Sequence, residues 1–155
     1  MQDQKLSEII DIAILREQEA YEFYMDLYKK IEDQAAQETL EWVAAEEKKH
    51  KAFLVDYRDG NYGAEAMRMS EVAYYKIAEH QQEPEIAEDM RREDVFLLAA
   101  HRELKSYNFY TEVAGLHPDG ETKTMLLKIA NEELKHKEKM EYLYANTAFP
   151  QTDGG

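Results

Sequence analysis

Apolar positions recur at three- and four-residue steps along four stretches of the chain, the spacing of amphipathic helices. The first stretch predicts a helix from about Glu8 to Ile31, capped by Ser7, with a stripe of Leu6, Ile10, Ala13, Ile14, Glu17, Tyr21, Tyr24, Tyr28 and Ile31. The second predicts a helix from about Asp33 to Asp59 through Leu40, Val43, Glu47, His50, Leu54 and Tyr57, ended by Gly60. A third runs from about Glu93 to Val113 through Val95, Phe96, Ala99, Glu103, Tyr107 and Tyr110. Gly115, Pro118 and Gly120 supply the turn into a fourth, about Glu121 to Ala145, through Leu126, Ile129, Glu133, His136, Met140 and Leu143. Residues 60–92 break the rhythm. NYGAEAM reads as loop, SEVAYYKIAEHQQ as a short helix capped by Ser70, and Pro84 interrupts the chain beyond it.

Short joins link the first helix to the second and the third to the fourth, so each pair is expected to fold as an antiparallel hairpin. The long segment between the pairs is the single crossover of a ferritin-like four-helix bundle. Residues 1–146 are expected to form one all-α domain, with the crossover at about 60–92, and residues 147–155 a mobile tail. Composition agrees, because 6 Gly and 3 Pro in 155 residues leave little turn chemistry for a sandwich or barrel.

The apolar stripes carry residues that do not belong on them: Glu17, Glu47, His50, Glu103, Glu133 and His136. They also repeat. REQEAYEFY at 16–24 returns as RELKSYNFY at 102–110, and AAEEKKHK at 44–51 returns as ANEELKHK at 130–137, both at an offset of 86. That offset carries Glu17 onto Glu103, Glu47 onto Glu133 and His50 onto His136. Two repeated hairpins pack naturally about a two-fold axis, where these groups would converge.

A helix turns about 100° per residue, so Glu47 and His50, or Glu133 and His136, lie on one face nearly a turn apart. One Glu-x-x-His pair is weak evidence, and Glu46 with Lys49 or Glu132 with Lys135 are ordinary solvated pairs. Buried carboxylates, however, are unfavourable unless protonated, paired or metal-bound. Mixed oxygen and nitrogen donors without thiolate suit iron or manganese. Glu47 and Glu133 are placed to bridge two ions, with Glu17 and His50 completing one and Glu103 and His136 the other. Tyr24 and Tyr110 follow Glu17 and Glu103 by two turns and are expected near the site, as aromatic packing or as hydrogen-bond or redox groups. His80, His101 and His117 read as surface or loop residues, and Trp42 and the methionines as core or interface filler.

A formal net charge of −14 argues against unaided nucleic-acid binding. With no Cys, the chain offers no disulfide, cysteine-ligated zinc or iron–sulfur cluster. MQDQKLSEII lacks the start of a signal peptide, and no apolar run approaches a membrane span of about 18 residues. A cytoplasmic location is the expectation, with no membrane partner.

Glu17 before AYEFY, Glu47-x-x-His50, Glu103 before SYNFY and Glu133-x-x-His136 resemble the di-iron domain of rubrerythrins, in the ferritin-like superfamily, over roughly residues 5–145. The resemblance implies two iron ions, with manganese an alternative in one or both positions. It also implies oxidation of that site by hydrogen peroxide or oxygen and re-reduction by an external electron-donor protein. Full rubrerythrins carry a four-cysteine rubredoxin domain, and this chain has no Cys. They also place an extra carboxylate three residues after the third-helix ligand, where this chain has Ser106, with Ala20 as its counterpart. The resemblance thus leaves a ferroxidase or iron-binding role as the alternative to a peroxidase. Tyr- and Met-rich helix faces allow a homodimer, with the crossover exchanged between chains.

Overall fold

The computed structural model describes residues 2–61, 72 and 75–148, with side chains from Leu6 onward. Among these residues it is all helical: α1 (Gln2–Lys30), α2 (Gln34–Arg58), α3 (Ile77–His80), α4 (Arg92–Gly115) and α5 (Glu121–Ala148). The four long helices form a bundle. No described helix is long and apolar enough to cross a membrane.

Helix α1 starts earlier than its capping signal suggests, so Ser7 lies inside the helix and is not its cap. Leu6 explains the extension, since it packs against the core and gives the first turns apolar contact. Residues 147 and 148, expected in the tail, continue α5, where Thr147 Oγ1 donates to Leu143 O at 2.8 Å. The expected crossover helix is described only as Ile77–His80, and its expected cap, Ser70, lies outside the described residues, as do residues 149–155.

Three residues separate α1 from α2, and hydrogen bonds fix the join. Asp33 caps α2, its carboxylate accepting from Ala36 N at 2.8 Å. Gln37 Nε2 donates to Ile31 O at 2.7 Å and Tyr28 O at 3.4 Å, satisfying carbonyls that the end of α1 leaves open. Arg92, at the start of α4, grips the same Asp33 with Nε and Nη2, each at 2.9 Å. One aspartate thus holds the α1–α2 turn to the third long helix. At the far end of α2 the chain turns away through Gly60 at φ +79°, a left-handed conformation that favours glycine.

Hydrogen bonds from Arg92, then the Ala36 amide and the charge of Arg92, outweigh burial and hold the Asp33 carboxyl below the usual range. A lowered carboxyl contributes stability above its unfolded pKa and loses it as pH falls through the folded one. Asp33→Ala should therefore cost about 1 kcal/mol through the cap alone, a melting shift of about 2–4 °C at neutral pH. The difference from the unaltered protein should shrink in acid, as pH falls through the lowered Asp33 titration, which thermal melts across pH would show.

Side-chain contacts set the directions of the helices. Lys51 reaches Gln18 at 2.8 Å and Arg58 reaches Asp11 at 2.8 Å, so α2 runs back along α1. Tyr24 meets Glu103 and Tyr110 meets Glu17, so α4 runs antiparallel to α1. Two apolar clusters fill the interior. One gathers Tyr24, Leu27, Leu40, Val43, Phe96 and Met140 among its members, and the other Ile10, Leu54, Tyr110, Met125, Leu126 and Ile129. The stripe residues between them along every long helix are the polar ones.

The crossover is pinned by a second buried polar group. Glu141 Oε2 accepts from Ile77 N and Ala78 N, each at 2.8 Å, and from Lys137 Nζ at 2.9 Å. Lys137 also lies 2.9 Å from Glu79 Oε1. Lys137 and Glu141 are each 1% exposed. The sequence holds no signal for this, because a Lys–Glu pair four residues apart usually lies in solvent.

Candidate metal centre

All six polar residues of the stripes are buried: Glu17, Glu47, His50, Glu103, Glu133 and His136. Each long helix supplies its share from mid-length, where backbone hydrogen bonds fix the direction of the side chains. They converge in one layer. Ligand atoms of Glu17, Glu47, His50 and Glu133 lie within 4.8 Å of one another, and so do those of Glu47, Glu103, Glu133 and His136. Glu47 and Glu133 belong to both groups. A further trio, His50, Glu132 and His136, also meets this spacing, but Glu132 is only partly buried and receives Lys135 Nζ at 3.1 Å.

The contacts recur across the repeat. His50 Nδ1 lies 2.8 Å from Glu133 Oε1, and His136 Nδ1 lies 3.3 Å from Glu47 Oε1. His50 is 3.8 Å from Glu17, and His136 is 3.6 Å from Glu103. The two imidazole rings stack at 5.4 Å between centroids. Tyr24 OH donates to Glu103 Oε1 at 2.9 Å, and Tyr110 OH donates to Glu17 Oε1 at 2.6 Å. Even the outer contacts repeat, with Arg16 over the ring of Phe109 at 4.1 Å and Arg102 over Phe23 at 4.7 Å. Each member of these pairs has its counterpart 86 positions away.

Within the layer several buried atoms make no hydrogen bond among the described residues: Glu17 Oε2, Glu47 Oε2, Glu103 Oε2, both oxygens of Glu133 and His50 Nδ1, whose 2.8 Å approach to Glu133 Oε1 lacks hydrogen-bond geometry. Such orphans are costly in a packed interior. Burial, then the like charge of Glu47, pushes Glu17 well above the carboxylate range. Burial and Glu103 raise Glu47 to about 7, and burial, then Glu103 and Glu47, raise Glu133 well up. Glu103 goes the other way. Burial opposes its ionisation, but the charge and hydrogen bond of His136 hold it at about 2. His136 is raised in turn, since the pull of Glu103 and Glu47 overcomes its own burial, whereas burial lowers His50. The tyrosine hydroxyls are raised by burial and by the adjoining carboxylates, so both stay protonated donors. Without a cation, then, Glu17, Glu47 and Glu133 favour their protonated forms, and Glu103 is offset by His136. A divalent ion in each group would replace those protons and use the orphaned oxygens, so the donor set fits two ions with oxygen and nitrogen preference.

Of the two places expected for Trp42, core or interface, the core is excluded. Trp42 is 36% exposed, and its indole meets His136 edge-on at 5.3 Å between centroids. Lys139 Nζ lies 3.6 Å over the same ring. Its position eight residues before His50 gave no hint, because the contact is to a helix distant in sequence. Among the unpaired histidines, His80 is exposed as expected, while His101 is half-buried within α4 with Nε2 unpartnered among the described residues. His117 is part-buried, its Nδ1 3.0 Å from Val113 O.

Comparison with known proteins finds two likenesses. The chain is similar to a solved hypothetical protein from Pyrococcus furiosus, at 26% identity, covering 98% of this chain and 96% of that one, with a TM-score of 0.61. No curated protein matches. Residues 1–57 match the family model described as Rubrerythrin, a span that holds Glu17, Glu47 and His50. Over that span the chain is rubrerythrin-like, and its clustered carboxylates and imidazoles are compatible with a pair of iron ions.

Proposed function

We propose that this protein is a di-iron oxidoreductase that reduces hydrogen peroxide, or oxygen, with electrons from an external donor protein. The observation that carries the reading is the pair of overlapping four-residue groups sharing Glu47 and Glu133. In this reading Glu17 and His50 complete one ion site, Glu103 and His136 the other, and the two halves of the bundle are repeated antiparallel hairpins of ferritin-like type. When bound, the two irons would supply the two electrons that peroxide reduction consumes.

The chain's own groups do the rest. Tyr24 OH orients Glu103 and Tyr110 OH orients Glu17 by donating to one oxygen of each, which leaves the other oxygen for the ion. The apolar clusters on either side of the layer exclude bulk water and strengthen electrostatic interactions within it. Manganese in one or both positions, a cytoplasmic location and a homodimer belong to the same proposal.

Ala20 and Ser106 favour a second reading, a ferroxidase that stores or passes on iron, because neither adds a carboxylate one turn beyond Glu17 or Glu103. Anaerobic reduction followed by one equivalent of peroxide separates the two. A peroxidase should recover its ferric absorption with stoichiometric peroxide and return to the ferrous state with a donor. A ferroxidase should consume and retain ferrous ion beyond two per chain. Protein from iron-replete cells that holds no metal would overturn both.

A further inference from the structure

One contact breaks the two-fold pattern of the site. Trp42, the single tryptophan, touches His136, but the position 86 residues on is Lys128, and the counterpart of Lys139 is Phe53. The two ends of this contact differ in environment. Trp42 is 36% exposed and His136 2%. The indole therefore spans the distance from solvent to a buried imidazole that is one of the candidate ligands. Along the bundle axis the cluster is flanked by apolar layers whose own buried rings, Tyr24, Phe96 and Tyr110, are at most 2% exposed and do not reach solvent as Trp42 does.

We infer that Trp42 is where electrons enter, an aromatic bridge from a one-electron donor at the surface to the His136 side of the site, and that Lys139 keeps the indole from being consumed. The inference rests on the di-iron reading. In each event the donor gives up one electron and is oxidised by one. One ferric ion becomes ferrous, and the indole begins and ends as a closed-shell ring. Two events restore the pair, with no atom transferred. Two π-systems in edge contact, with centroids 5.3 Å apart and planes at 75°, couple the surface to the ligand without an intervening gap.

Lys139 decides which kind of carrier Trp42 is. An ammonium 3.6 Å over the ring is attracted to the neutral indole. The same charge repels an indole radical cation, so it raises the cost of removing an electron from Trp42. The bridge then passes electrons inward while resisting oxidation by peroxide.

The test uses the iron-loaded, oxidised protein mixed anaerobically with the methyl viologen radical in a stopped-flow instrument. Trp42→Leu should slow reduction about ten-fold, and Trp42→Phe less, with iron content unchanged. Rates for both variants within a factor of about two of the unaltered protein would overturn the assignment. Fluorescence gives an independent readout, because all tryptophan emission comes from Trp42. Cobalt(II) binding should quench it, and unchanged emission with cobalt bound would count against the ring contact. After repeated peroxide cycles, peptide mass analysis should find Trp42 oxygenated in Lys139→Met and intact in the unaltered protein. Equal oxidation in the two would remove Lys139 from the scheme. Loss of iron from the unaltered protein sinks the di-iron reading itself, whereas normal iron and peroxide chemistry with indifferent Trp42 variants sinks only this inference.

Discussion

Glu133→Ala should abolish binding of both metal ions, whereas Glu17→Ala should release chiefly one. The difference comes from membership. Glu133 and Glu47 lie in both four-residue groups, while Glu17 and His50 lie in one and Glu103 and His136 in the other. Removing a shared carboxylate takes a donor from each ion and leaves their mutual repulsion unbridged. The loss should exceed the roughly 10–100-fold typical of removing a group that only supports a ligand. Metal per chain, measured by elemental analysis after dialysis against a fixed free-metal concentration, checks this. The expected order is Glu133→Ala and Glu47→Ala near zero, Glu17→Ala and Glu103→Ala near half of the unaltered value. Equal retention in all four variants would refute shared ligation. Glu133→Ala, Glu47→Ala and Glu17→Ala should still fold, because each removes a buried carboxylate whose charge the metal-free interior disfavours. Glu103→Ala also removes the partner of His136 and should be the least stable of the four.

Much of this site was legible because its residues violate a periodicity. A carboxylate at position 17 on the stripe of Ile10, Tyr24 and Ile31 asks for a buried partner, and the 86-residue repeat returns it as Glu103, with Glu47 and Glu133 as a second repeated pair. Convergence is then a consequence of helix geometry and short connections. Helix starts were less legible. Ser7 is a sound capping residue, but Leu6 packs on the core and carries α1 past it, since tertiary contact outweighs a capping preference of about 1 kcal/mol. The role of Asp33 at the α1–α2 turn and the reach of Arg92 to it required knowing which helix ends meet. So did Trp42. As an isolated large aromatic it reads as filler, and only the packing of α2 on α5 brings it to His136. The buried Lys137 and Glu141 pair was illegible for a different reason. Its partners are the backbone amides of Ile77 and Ala78 in the crossover, and no side-chain pattern records them.

Metal-free protein should become less stable as pH rises from about 5 to 8, and metal should reverse that slope. The sign comes from the direction of each group. Glu17, Glu47, Glu133 and His136 have folded pKa values raised above their ordinary ones, Glu47 to about 7. A raised group binds more protons folded than unfolded, so its contribution is complete below the unfolded pKa and disappears as pH climbs through the folded one. Two groups differ. Glu103, at about 2, completes its titration below this window and contributes no slope within it. His50 is lowered and opposes the trend near pH 6.5, but it is one group against four. The net loss should be on the order of a few kcal/mol, several degrees in melting temperature. With iron or cobalt bound the linkage inverts, because the ligands bind metal only when deprotonated and the ion competes better as protons become scarce. Melting curves of metal-free and loaded protein across this range should therefore diverge with pH. Glu133→Gln should flatten the metal-free curve by removing one of the proton-holding groups. Parallel curves would mean that the cluster is held together by something other than protons or cations.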